Sequence, residues 1–169
     1  RNPGQVYRNN ADGSFADVSK AVDLSKTPGL SGYNFFSTTT PLDDHSSAWG
    51  DLDNDGDDDL IFFPTTGSDP FLRNDGGLLT DIRSSVWTDT MPHNGERMGV
   101  FFDSNSDGKL DIFYPSLTRS TLYRQKPDGT FGGSDDYTEI ECGSEGYFAH
   151  LADVHPNPGL ELICASVQG

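Results

Sequence analysis

An all-β fold built from four-stranded antiparallel units, the blades of a β-propeller, is predicted for this chain by three observations. The aspartate-rich nonapeptide Asp51 to Asp59 returns as Asp103 to Asp111, and in altered form as Asp153 to Glu161, with starts 52 and then 50 residues apart. A fixed period of that length marks a chain of repeated units. Short apolar runs precede and follow each nonapeptide, and none carries a helical period. Asp-Gly pairs then fall between apolar runs, the pattern of tight hairpins whose turns need a positive φ. About four short strands per 50-residue unit describe a propeller blade.

The elements follow in order. Residues 1–18 match only the third and fourth strands of a unit. The unit 45–82 is complete: Ala48-Trp49-Gly50, the first loop, Leu60 to Phe63, Phe71 to Asn74, and Leu78-Leu79 after Asp75-Gly76. The unit 97–131 repeats it with Val100 to Phe102, the second loop, Leu110 to Tyr114, Leu122 to Gln125, and Phe131 after Asp128-Gly129. Residues 147–169 supply a first and a second strand around the third loop. Trp49 and Phe101, on inner strands, are expected in the core. The whole makes about three blades' worth with out-of-phase termini, and closed rings take roughly four to eight blades. The open halves therefore require either further blades on a longer chain or completion by another copy, as a ring or a filament.

The loops carry the chemistry. Carboxylates crowded into nine residues repel one another unless a cation sits among them. Oxygen ligands alone suit a hard ion, and Ca²⁺ accepts about six to eight of them in a forgiving geometry, whereas Mg²⁺ keeps its waters and a strict octahedron. In the first loop the side chains of Asp51, Asp53, Asp55 and Asp59 are expected to ligate, with the carbonyl of Asp57 and with Asp58 turned to solvent. In the second, Asp103, Asn105, Asp107 and Asp111 take those places, with the carbonyl of Lys109. The third keeps Asp153, Asn157 and Glu161, but His155, Pro156 and Pro158 interrupt the pattern, and its ion is left open. An EF-hand is excluded: its twelfth position needs a bidentate Glu, and Phe62 and Tyr114 stand there, in strands rather than in an exiting helix.

The loop pattern, followed by Tyr7-Arg8-Asn9-Asn10-Ala11-Asp12-Gly13-Ser14-Phe15-Ala16-Asp17-Val18 as a blade end, resembles the FG-GAP/VCBS repeats of integrin-α-type propellers. The resemblance implies that each loop joins the first and second strands of a blade and binds Ca²⁺. It also implies that the connections between blades lie on the opposite face and contact partners. These connections are Ser19 to Ser47 (with Tyr33, Phe35 and Phe36), Ile82 to Arg97 (with Trp87, His93 and Asn94) and Gly132 to Gly146 (with Asp135, Asp136 and Tyr137). Long loops on a rigid scaffold are frequent binding surfaces. Their aromatic and polar residues either present such a surface, for a protein or glycan ligand, or pack between blades.

A formal net charge of −16 argues against nucleic acid and against an anionic membrane surface as partners. Eleven of the 27 acidic residues lie in the three loops, so the acidity is partly a signature of the cation sites. No apolar run has the length of a membrane span. Cys142 and Cys164 either form one disulfide or leave Cys164 as a small buried residue. Weak, exposed calcium loops suit an extracellular, cell-surface or periplasmic location. Catalysis is not expected: His45, His93, His150 and His155 form no zinc spacing, and no nucleophile elbow or phosphate loop is present. A part in a carbohydrate-active enzyme is suggested only by analogy with other propellers.

Overall fold

Short apolar runs give most of the strands where the sequence places them. The computed structural model describes residues 7–18, 44–64, 69–87, 98–116, 119–133, 136–142, 146–155 and 159–166. Within these lie strands β1 (Tyr7–Asn9), β2 (Phe15–Asp17), β3 (Asp44–Gly50), β4 (Asp59–Pro64), β5 (Phe71–Asp75) and β6 (Leu78–Asp81). One helical turn, α1 (Arg83–Val86), follows. Then come β7 (Val100–Phe102), β8 (Asp111–Tyr114), β9 (Ser120–Tyr123), β10 (Tyr137–Ile140), β11 (Gly146–Ala152) and β12 (Glu161–Ser166). The chain is all-β. Strands β3-β4-β5-β6 form one four-stranded antiparallel sheet and β7-β8-β9-β10 a second, each in sequence order. The pairs β1-β2 and β11-β12 are separate two-stranded sheets.

The middle strands are covered on both faces, so they carry continuous apolar runs rather than alternation. In β4, Leu60, Ile61 and Phe63 are buried, and in β8 all four residues are. The two four-stranded sheets share one core: Ala48, Ile61, Phe63 and Phe71 meet Ile112, Tyr114, Tyr123 and Phe131, with Trp87 between them. A second cluster packs Phe113 and Leu122 against Cys142 and Ala149, joining the second sheet to the β11-β12 pair. The same junction is crosslinked. Cys142, just past β10, and Cys164 of β12 form a disulfide across 22 positions, which resolves the two readings left open for them. Such a crosslink persists in oxidising compartments. No helix among the described residues is long and apolar enough to cross a membrane.

Two expectations about these elements are corrected. Trp49 is 56% exposed rather than in the core. It lies on the edge strand β3 opposite Leu60, and its neighbour Ala48 takes the face that packs against the second sheet. Phe101 is half-buried against the core, nearer to expectation. The fourth strand of the second sheet is not at Phe131. That residue makes an isolated bridge to Trp87, and β10 pairs with β9 from Tyr137 instead, inside the expected connecting segment. A turn longer than the Gly76-Gly77 turn of the first sheet sets this displacement.

Candidate metal-binding site

Each aspartate loop is the connection between the first and second strands of its sheet: Asp51 to Asp58 join β3 to β4, and Asp103 to Leu110 join β7 to β8. The two adopt one conformation, held by matching hydrogen bonds. Asp51 accepts from the backbone N–H groups of Asp55 (3.0 Å) and Gly56 (3.0 Å), as Asp103 does from Asp107 (3.1 Å) and Gly108 (2.9 Å). Asp55 accepts from Asp57 N–H at 2.9 Å, and Asp107 from Lys109 N–H at 2.9 Å. The fourth position is left-handed in both, Asn54 at φ 61° and Ser106 at φ 62°, and the sixth is glycine at φ 98° and 82°. Asparagine enters that region more readily than most residues with a side chain, whereas serine does so less easily and relies on the rest of the loop to hold it there.

The ninth position has a role that spacing alone does not show. Asp59 is buried and accepts two backbone bonds: one from Leu52 N–H (2.9 Å) at the loop entrance, the other from Asn74 N–H (2.8 Å) at the end of β5. Asp111 repeats this with Ser104 N–H (3.0 Å) and Gln125 N–H (2.9 Å). These carboxylates therefore tie the loop to the third strand. Asp57, expected to act through its carbonyl, also uses its carboxylate: it accepts from Gly76 N–H at 2.8 Å, in the β5-β6 turn. Burial pushes the Asp59 carboxyl above its ordinary pKa, against the opposing pull of its two N–H donors. The N–H of Gly108 leads those that hold Asp103 below the usual value.

Asp51, Asp53 and Asp59 each bring one carboxylate oxygen within 4.8 Å of the others. An all-oxygen set gathered at that separation fits a hard cation. Asp55 is outside this group. In the second loop Asn105 accepts from Asp107 N–H and donates its amide to Asp107 Oδ2 at 3.0 Å. The two loops touch, since Asn54 donates to the Gly108 carbonyl at 3.3 Å, and Gln125, just past β9, donates to the Leu52 carbonyl of the first loop at 3.0 Å. Beside them a cleft of roughly 330 Å³ is lined by Asp53, Asp59, Arg73, Lys109, Gln125 and Phe131. In the third loop Glu161 accepts from Val154 N–H at 2.8 Å and His155 N–H at 3.2 Å, while Asp153 is exposed. Asn157 lies outside the described residues.

Of the connecting-segment residues left open between a ligand surface and packing, Trp87 is buried in the shared core and Tyr137 belongs to β10. Tyr33, Phe35, Phe36, His93, Asn94 and Asp135 lie outside the described residues. No family model matches the chain, and no curated protein or solved structure does so either.

Proposed function

We propose that the chain is a calcium-stabilised segment of a β-propeller of the FG-GAP/VCBS kind, serving outside the cell as a module that binds a protein or glycan. One observation carries this reading. Two aspartate loops with the same hydrogen-bond pattern occupy the same place in two four-stranded sheets, and the first gathers three carboxylate oxygens at a separation fit for a cation. The disulfide supports a location in an oxidising compartment. In the first loop Asp51, Asp53 and Asp59 would hold the ion with Asp55 and the carbonyl of Asp57. In the second, Asp103, Asn105, Asp107 and Asp111 would do so with the carbonyl of Lys109. The ion would neutralise the carboxylates and lock the β3-β4 and β7-β8 connections. It supplies rigidity rather than reaction chemistry, and no enzymatic activity is proposed.

Thermal melts with and without Ca²⁺ test the metal assignment. A site saturated about 100-fold stabilises by roughly 2.7 kcal/mol, so EDTA lowers Tm and Ca²⁺ restores it. Asp53→Ala is the informative variant, because among the described residues Asp53 accepts no loop N–H. It should abolish most of the first loop's share of the shift and leave the EDTA-treated melt unchanged. Identical melts in EDTA and in millimolar Ca²⁺ would overturn the calcium reading. Glycan-array and cell-surface pull-down measurements in Ca²⁺ then separate the glycan from the protein form of the ligand.

A further inference from the structure

The two aspartate loops are bridged by two hydrogen bonds that span 54 and 73 positions of chain, Asn54 to Gly108 and Gln125 to Leu52. What each bond holds gives it more than a packing role. Gln125 donates through Nε2 to the carbonyl of the peptide that joins Leu52 to Asp53, at 3.0 Å. That peptide sets the direction in which Asp53 leaves the backbone. The N–H of Leu52 is held in turn by Asp59 Oδ2 at 2.9 Å, and the N–H of Gln125 by Asp111 Oδ1 at 2.9 Å. One line of bonds therefore runs from the ninth residue of the second loop, through Gln125, to the ninth residue of the first.

Gln125 differs from its counterpart in the first sheet. That counterpart is Asn74, whose N–H binds Asp59 as the N–H of Gln125 binds Asp111. Asn74 serves its own sheet: it donates to the Asp58 carbonyl at 3.1 Å and accepts from Gly77 N–H at 2.8 Å. Gln125, one methylene longer, crosses to the neighbouring loop instead. It is only 5% exposed, and its Oε1 has no hydrogen-bond partner among the described residues. A buried acceptor left unpaired is unfavourable, and an apolar side chain here would avoid it. The donation to Leu52 is thus what the amide contributes. The opposite bridge is the weaker one, since Asn54 donates at 3.3 Å from an exposed position. It holds the peptide that joins Gly108 to Lys109, and Gly108 N–H is itself held by Asp103 Oδ2 at 2.9 Å.

Each loop, once ordered, therefore supplies a hydrogen-bond partner to the other. The left-handed backbone of Asn54, at φ 61°, aims its amide at the second loop, and the Asp59 clamp on Leu52 presents the carbonyl that Gln125 meets. A ligand that orders one loop lowers the entropy lost in ordering the next. We infer that the two loops are one coupled unit, in which a cation held by either loop raises the affinity of the other by way of Gln125 and Asn54. The coupling rests on the calcium reading and adds a regulation that neither loop has alone. It is reciprocal by linkage, and couplings between sites typically amount to about 5–150-fold in affinity. Two neutral hydrogen bonds as the route place it at the lower end, about fivefold. Repulsion between two bound cations acts in the opposite sense, and about 0.15 M salt screens it over about 8 Å. The pair then fills, and the segment stiffens, over a narrower range of Ca²⁺ than independent loops would give.

Calcium titration of the chain at about 0.15 M salt, followed through the amide resonances of Gly56 and Gly108, reads each loop separately. The coupling factor is the affinity at Gly108 with Asp53 intact, divided by that in Asp53→Ala. It should be about fivefold. In Gln125→Met it should fall close to one, because that change keeps the backbone donor to Asp111 but removes the bond to Leu52. A ratio taken within each background cancels any direct effect of the substitution on the second loop. Asn54→Gly keeps the left-handed backbone and removes the exposed donor, so it should lower the factor part of the way. It also tests the route should Gln125→Met fail to fold. A factor of one or below in the otherwise unaltered chain overturns the coupling and leaves calcium binding standing. A fivefold factor that survives Gln125→Met and Asn54→Gly overturns the route through these residues. Resonances of Gly56 and Gly108 that ignore millimolar Ca²⁺ overturn the calcium reading and the coupling with it.

Discussion

Asp59 shows how one carboxylate can hold the strand network while standing in the proposed cation site. Its two oxygens accept N–H bonds from Leu52 and Asn74, and it still places an oxygen beside Asp51 and Asp53. An ionised aspartate can accept about four bonds over its two oxygens, so these duties are compatible. Asparagine cannot replace it. In Asp59→Asn one of the two backbone donors faces an amide NH₂, and an unsatisfied buried group costs about 1–3 kcal/mol. Loss of the charge relieves part of that cost, since burial raises the Asp59 pKa and so disfavours the anion. We expect net destabilisation in denaturant melts that persists in EDTA. The contrast with Asp53→Ala, whose effect should vanish in EDTA, separates the clamp from the ligand. A wild-type melt for Asp59→Asn in chelator would refute the clamp.

At the scale of elements, the sheets meet where side chains are missing. Gly99 precedes β7, and a Cβ there would lie 2.5 Å from Phe63 Cζ and 3.2 Å from the Phe113 carbonyl. The Phe63 ring is fully buried and has no room to retreat. Gly99→Ala should therefore cost about 1–3 kcal/mol by overpacking, read as a lower denaturant midpoint with an unchanged slope. An unchanged midpoint would mean that the two sheets are not seated this closely. The sequence held the loops and most strands in readable form, because carboxylate spacing and Asp-Gly turns are local signals. It did not reveal Gly99, whose constraint comes from a ring 36 positions away in the chain. Nor did it show which face of β3 would carry Trp49, since an edge strand shows its pleat only once its partner sheet is placed. The shift of the fourth strand from Phe131 to Tyr137 was hidden for a related reason. The Asp128-Gly129 turn is a true turn, but pairing with β9 resumes only after a further excursion. At the loops, spacing found every carboxylate yet could not show which of them also accept backbone N–H bonds.

Over the whole molecule, the question is whether the two four-stranded sheets unfold together. Their junction is aromatic: Trp87 stacks on Phe131 at 5.7 Å and meets Tyr123 at 4.9 Å, Phe71 at 5.8 Å and Tyr114 at 6.4 Å. Phe71 comes from the first sheet, and Tyr114 and Tyr123 from the second, so the indole is shared between them. Trp87→Ala should cost about 3–5 kcal/mol, as large aromatic truncations in cores do. Trp87→Phe should cost far less, because the buried indole N–H has no hydrogen-bond partner to lose. The chain has only two tryptophans and the other, Trp49, is exposed, so fluorescence in a Trp49→Phe background reports this junction alone. Circular dichroism near 215 nm reports all strands. If the shared core makes the sheets one cooperative unit, the two signals give coincident transitions, and any Trp87 variant moves the circular dichroism midpoint as a single step. Repeat arrays can instead lose cooperativity at one interface. A fluorescence transition that precedes the circular dichroism transition would then mark the junction as the weak seam, with each sheet stable without the other.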